Sequence, residues 1–178
     1  MVMKEKFVNM PFPHIELNNF LDKVKAVQLL KAVTKLKFKH IESDLFSFLQ
    51  TEDLNNVDNI EIQNFIRLLK SKELREQVSN VTGVKISEKI DLFASCYNST
   101  HYLLPHDDRL EGRKIAFFYY LSTVEEGGDL CFYERDKIVK RIRLKFNKFA
   151  FFVVSDKSIH QVEEVVKGQR IALSGWWH

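Results

Sequence analysis

The segment "LLPHDDRLEGRKIAFFYYL" sets one histidine and two carboxylates, His106, Asp107 and Asp108, between an apolar run and a stretch that is apolar on both faces. In an extended chain His106 and Asp108 share a side, while Asp107 points the other way. One imidazole and one carboxylate on one side of a strand end are two corners of a metal site. A second histidine would complete the two-histidine, one-carboxylate facial triad, which leaves open positions on a non-haem Fe(II) ion. Of the six histidines, His14 and His40 lie in the front part and His178 is the last residue. Strict alternation puts His101 on the opposite face from His106. His160, in "SDKSIHQVEE", remains, so the candidate triad is His106, Asp108 and His160.

Taken alone, H-x-D reads more readily as a capping aspartate beside a hydrogen-bonded histidine. Arg170 shifts the balance, because it stands ten residues after His160 inside the apolar run "QRIALSGWW". A guanidinium cannot be neutralised by deprotonation, so its charge needs a partner. Its planar fork suits a carboxylate bound through two parallel hydrogen bonds. A dicarboxylate chelating iron at one end would offer its far carboxylate to this group, and the spacing points to 2-oxoglutarate.

These residues need a scaffold that draws them together. All six glycines fall at Gly83 or later, which predicts a helix-rich front part and a turn-rich β part behind it. In front, "HIELNNFL" reads as a short strand entering a helix. "FLDKVKAVQLLKAVTKL" carries Leu21, Val24, Leu29, Val33 and Leu36 near helical spacing. "ESDLFSFLQTEDL" is ambiguous, with a strand and turn as one reading. "IEIQNFIRLLKSKELREQVSNVTG" holds one or two helices ending at Gly83.

From Ile86 onward, "KIDLFASCYN", "HYLLPH", "KIAFFYYLS", "DLCFYE", "IVKRIRL", "KFAFFVVS", "IHQVEEVV" and "QRIALSGWWH" predict eight short strands. The expected fold is mainly β with N-terminal helices: a double-stranded β-helix, or jelly-roll, barrel with the helices packed on one sheet. In such a barrel the start of the seventh strand, with His160, can lie beside the end of the second across the mouth. A single domain is expected over 1–178, with 1–85 a helical support region and 86–178 the jelly-roll core.

Composition fits this scheme. At 178 residues, 45% hydrophobic and 29% charged, the chain can bury a sizeable core. Fifteen phenylalanines against three methionines suggest that rigid aromatic side chains build it. A net charge of +3 lends no weight to nucleic-acid binding, so no direct contact of that kind is expected. Two cysteines, Cys96 and Cys131, do not make a disulfide framework and are expected to be reduced thiols. The N-terminus has no signal-like apolar run, and no segment approaches the ~20 apolar residues of a membrane span. The expectation is a soluble protein of the cytoplasm, or of the nucleus in a eukaryote, with no membrane partner.

H-x-D, a distal histidine and an arginine ten residues later resemble the 2-oxoglutarate- and Fe(II)-dependent oxygenases. "LLPHDDRLEGRKIAFFYYL", followed by "GGDL", "FFVVSDKSIHQVEEV" and "RIALSGWWH", is similar to the catalytic domain of the ribosomal prolyl hydroxylases, over about Asp91 to His178. The resemblance implies that His106, Asp108 and His160 hold Fe(II) and that Arg170 holds the far carboxylate of 2-oxoglutarate. It also implies that Tyr97 and Tyr120 contact that co-substrate. Tyr120 shares a face with Phe118 and Ala116, so its hydroxyl could point into the barrel; a core tyrosine bonded to backbone is the alternative for Tyr97. Asp107, Arg109, Glu111 and Arg113 form a charged loop beside the metal, expected to meet substrate.

The implied reaction uses O2 and 2-oxoglutarate, with ascorbate as a supporting reductant, to hydroxylate a prolyl residue at C3 in ribosomal protein uS12. Succinate and CO2 are the by-products. Related halogenases lack the metal-binding carboxylate to make room for halide, and Asp108 argues against that chemistry here. The resemblance also implies that eukaryotic relatives carry a second, non-catalytic jelly-roll domain after the first; the sequence stops at "GWWH", and the expectation is that whatever this domain adds to partner binding is missing. Two alternatives stand beside the uS12 hydroxylase: the same chemistry on another protein or peptide proline, and a metal-binding jelly-roll module without turnover.

Overall fold

Side-chain caps set the helices. In a computed structural model, which describes Met3 and residues 6–110 and 112–178, the Asp22 carboxylate accepts from the backbone N–H of Val24 and Lys25 and starts α1 (Lys23–Val33). Asn59 does the same for α2 (Ile60–Lys70) through Glu61 and Ile62, and Ser71 begins α3 (Lys72–Thr82). Gly83, at φ 71°, closes α3 in the left-handed conformation that favours glycine. Two helices therefore occupy the segment that the sequence left as one or two.

The strands are β1 (Phe7–Val8), β2 (His14–Asn18), β3 (Lys39–Ser43), β4 (Phe46–Gln50), β5 (Ile90–Tyr97), β6 (Tyr102–His106), β7 (Ile115–Tyr120) and β8 (Val124–Gly127). They continue with β9 (Leu130–Glu134), β10 (Lys137–Ile142), β11 (Lys148–Val153), β12 (His160–Val162), β13 (Val165–Gly168) and β14 (Arg170–Trp177). One antiparallel sheet runs β1-β2-β11-β7-β14-β5-β4-β6-β12-β9-β10, with β3 on the outer edge of β4; β8 and β13 pair separately. The sheet curls on itself, because Phe132 of β9 and Ile142 of β10 pack against Phe118 of β7 and Phe152 of β11.

Period-two alternation explains why β7 is apolar on both faces. Phe117 and Tyr119 join Phe149, Phe151 and Leu173 under the helices, against Leu29, Phe65 and Leu69. Ala116, Phe118 and Tyr120 face the barrel interior. All six β7 residues are buried. The helices cover one sheet face, as the sequence suggested. Val24, counted there among the apolar positions of α1, is instead exposed, and Ala26, Leu29, Ala32 and Val33 carry the buried stripe.

Two features depart from the sequence reading. The short strand read in "HIELNNFL" is β2 and the strand offered for "ESDLFSFLQTEDL" is β4, but both join the main sheet rather than a helical support: β2 pairs with β11, and β4 pairs with both β5 and β6, stitching the curl together. "IHQVEEVV" is not one strand. It breaks at Glu163–Glu164, so β12 stays in the main sheet while β13 pairs with β8, a strand the sequence did not suggest. The break follows from the Gly127–Gly128 turn, where both glycines have positive φ and the Gly128 N–H donates to the Glu164 carbonyl.

Asn147 locks the helical layer to the barrel. Its Oδ1 accepts from Leu21 N and from Tyr119 Oη, both at 2.9 Å, and its Nδ2 donates to the Leu21 carbonyl at 2.8 Å. Its φ is 61°, a region that asparagine tolerates better than most residues. Asn147→Ala leaves these groups unpaired in a buried place and should cost about 2–4 kcal/mol, read as a fall in the urea midpoint with unchanged slope.

Candidate active site

β6 and β12 are neighbours in the sheet, and His160 pairs directly with His106 across them. The expected meeting across the mouth is thus a cross-strand pair. The His106 ring nitrogen Nδ1 lies 2.8 Å from the Leu104 carbonyl, and His160 Nδ1 lies 2.8 Å from that of Ser158. A carbonyl only accepts, so each histidine carries a proton on Nδ1, and Nε2 is the nitrogen each turns toward Asp108. Asp108, just past the end of β6, faces both: His106 Nε2 is 3.7 Å from Oδ1 and His160 Nε2 is 3.4 Å from Oδ2. The three donor atoms lie within 4.8 Å of one another.

Burial sharpens this chemistry. Asp108 is buried, its Oδ2 has no hydrogen-bond partner among the described residues, and His160 is wedged against Phe152 with ring centroids 4.6 Å apart. Desolvation pushes the His160 imidazole down to about 4, against the opposing pull of Asp108, so it is neutral at pH 7. Asp107 points elsewhere, as alternation predicts. It takes the Arg109 fork at 3.0 and 3.1 Å, and that charge holds its carboxyl below the usual range. Glu111 lies outside the described residues.

Arg170, at the start of β14, is 1% exposed, and its Nε and Nη2 have no hydrogen-bond partner among the described residues. Its charge rests between two aromatic faces: Cζ is 4.9 Å from the Tyr97 ring centroid and 5.3 Å from that of Tyr120. Tyr97 stacks on Phe48, at 4.6 Å and 9°. The Tyr120 hydroxyl is buried without a partner among the described residues, and burial raises its pKa to about 12 despite the nearby arginine, so it is a neutral donor. Burial also raises that of Tyr97.

A cavity of about 570 Å³ joins the two groups, lined by His106, Asp108, His160, Tyr97 and Arg170. Residues that sequence reasoning did not single out complete its walls. Phe93, Ser95, Ser174 and Trp176 line it, and the β3–β4 hairpin adds Ile41, Phe46 and Phe48. Ser174 and Trp176 are an even number of residues from Arg170 and share its face, a signal the sequence did carry. Nothing in the order of residues places the hairpin there. Two imidazole Nε2 atoms and a carboxylate with an orphaned oxygen are a fitting donor set for Fe(II). At the other end the orphaned guanidinium fits a carboxylate; the Tyr120 phenol stands beside it, behind the residues that line the cavity.

This geometry defines a class, and comparison with known proteins agrees. The chain belongs to the 2OG-Fe(II) oxygenase superfamily, whose family model matches residues 92–178. Among curated proteins it is similar to the prolyl 3-hydroxylase OGFOD1 of Xenopus laevis, 35% identical over 182 residues, covering 96% of this chain and 35% of that protein. The chain therefore spans about a third of that relative's length. In fold it is similar to a Pseudomonas putida prolyl-4-hydroxylase, at TM-score 0.79 and 14% identity, covering 93% of this chain and 91% of that one. It is also similar to a Trichoplax adhaerens prolyl hydroxylase solved with a hypoxia-inducible factor peptide, at TM-score 0.73 and 17% identity, covering 92% and 82%. Among the described residues no helix is long and apolar enough to cross a membrane. Cys96 and Cys131 are buried free thiols, both with raised pKa.

The His160 shift fixes a sign. The native imidazole stays neutral down to about 4, while in the unfolded chain it takes a proton near 6.5. The unfolded state binds more protons between those values, so stability of the metal-free protein falls as pH drops through that window. Buried His14, also lowered by desolvation, acts the same way. In chelator, the urea midpoint should be lower at about pH 5 than at about pH 7.5, and His160→Gln should narrow the gap.

Proposed function

We propose that this chain is a 2-oxoglutarate-dependent prolyl hydroxylase domain that modifies ribosomal protein uS12 at a proline, on C3. The observation that carries the chemistry is a buried, unpaired Arg170 guanidinium in the same cavity as a His-Asp-His donor cluster. His106, Asp108 and His160 would hold Fe(II), their Nδ1–carbonyl bonds fixing tautomer and ring angle. Arg170 and the Tyr120 hydroxyl would hold the far carboxylate of 2-oxoglutarate, and the Tyr97 ring would wall its stem. With O2, the metal and co-substrate would supply the oxidising power for C–H hydroxylation.

The remaining walls suit an extended peptide. Phe93, Trp176 and the hairpin residues Phe46 and Phe48 form an apolar slot for a prolyl ring and exclude water from the metal side. Arg113 and Arg109 stand where main-chain carbonyls or acidic flanks would pass. The name of the Xenopus relative supports proline C3 as the target, and the resemblance to ribosomal prolyl hydroxylases supports uS12. The cytoplasm is the compartment in which that substrate would be met, and ascorbate would support turnover.

Asp108→Ala should abolish Fe(II) binding, measured anaerobically by titration calorimetry, with the thermal transition retained. Arg170→Ala should weaken 2-oxoglutarate on the order of 100-fold while Fe(II) still binds. Normal co-substrate affinity in Arg170→Ala would remove that residue from the role. Metal-loaded protein that consumes no 2-oxoglutarate with any proline peptide would be a binding module instead.

A further inference from the structure

Arg113 stands next to last in the loop between β6 and β7, and its guanidinium sits over the Trp176 ring, with Cζ 3.4 Å from the centroid. Both residues line the cavity, Arg113 mostly buried. Two groups outside the metal cluster hold that arrangement. Asp91, the second residue of β5, places Oδ2 3.6 Å from Arg113 Nε. The same oxygen lies 3.1 Å from His178 Nε2. His178 in turn packs on the backbone just before Arg113: a Cβ at Gly112 would stand 2.8 Å from its Nδ1, and Gly112 has φ +83°. The main chain closes the arrangement, since Lys114 N donates to the Trp177 carbonyl and His178 N to that of Lys89.

We infer that Asp91 and His178 form a clamp that sets the end of this loop and, through Arg113, fixes how tightly the peptide is held. Both are positioning residues. Arg109, on the same loop, has its fork taken by Asp107. Arg113 is held differently: Asp91 approaches it beyond hydrogen-bond distance, so the pairing orients the guanidinium without consuming its donors. A stacked, restrained guanidinium loses less side-chain freedom on meeting a main-chain carbonyl than a mobile one. The clamp touches neither the three metal-side donors nor Arg170, so it acts on peptide affinity and leaves co-substrate handling alone. This inference rests on the prolyl hydroxylase reading for its kinetic consequence, and on geometry alone for the clamp.

The test uses the whole chain labelled with fluorotryptophan, whose two tryptophans give separate fluorine resonances. Asp91→Ala should move the Trp176 resonance to the position that Arg113→Ala gives it, with Trp177 unmoved. The same variant should raise KM for a proline-containing peptide about tenfold, with kcat and the KM for 2-oxoglutarate within about twofold. His178→Phe keeps the ring but loses Nε2 and should shift both readouts in the same direction. It stands in if Asp91→Ala does not fold. A Trp176 resonance that stays at its wild-type position would overturn the clamp. So would one that moves while the peptide KM is unchanged. If the wild-type protein turns over no peptide at all, the prolyl hydroxylase reading fails, and the resonance still decides the clamp.

Discussion

Burial of charge without a protein counter-charge is the constraint around which this molecule is arranged. Asp108 and Arg170 sit inside an aromatic barrel, each with polar atoms that no group among the described residues satisfies. Such groups ordinarily cost several kcal/mol, which a fold of marginal stability tolerates only where a ligand or ion completes them. The surrounding design keeps the two apart. Arg170 is flanked by Tyr97 and Tyr120, which shelter its charge without neutralising it. Asp108 faces two imidazoles whose protons are committed to backbone carbonyls.

The scaffold follows from that requirement. β12 must lie against β6 to bring His160 beside His106, and β14 must enter the barrel between β5 and β7 to carry Arg170 inward. The curl is sealed by β4, which bonds β5 at one end and β6 at the other. On the outer face the helices bury the alternate residues of β7, β11 and β14, and Trp177 donates to the Leu69 carbonyl to bind α2 to the last strand. Rigid aromatic packing on both faces lets the cavity walls hold their shape.

Much of this was legible in the residues, for reasons that differ by element. Alternation in "KIAFFYYL" and "RIALSGWW" carries the two-faced burial of β7 and β14, and the even spacing of His106 and Asp108 carries their common side. Arg170 could be singled out because a lone arginine in an apolar strand has one physical excuse. What could not be read depends on long-range pairing. The β3–β4 hairpin looks like an ambiguous polar stretch until β5 and β6 stand on either side of it. The split of "IHQVEEVV" is imposed by the Gly127–Gly128 turn opposite, more than thirty residues upstream. The contact of Asp91 with Arg113 and His178 joins three separated positions, and no local pattern announces it.

The central claim is that this cavity hydroxylates a proline. Its most direct test is mass spectrometry of uS12 incubated with the protein, Fe(II), 2-oxoglutarate and air, beside a reaction without 2-oxoglutarate and one with Asp108→Ala. The account predicts one added oxygen on a proline, matched by succinate and absent from both controls. Unmodified uS12 with succinate formed would keep the oxygenase and reject this substrate. Neither oxygen nor succinate, from protein shown to carry iron, would contradict the account itself.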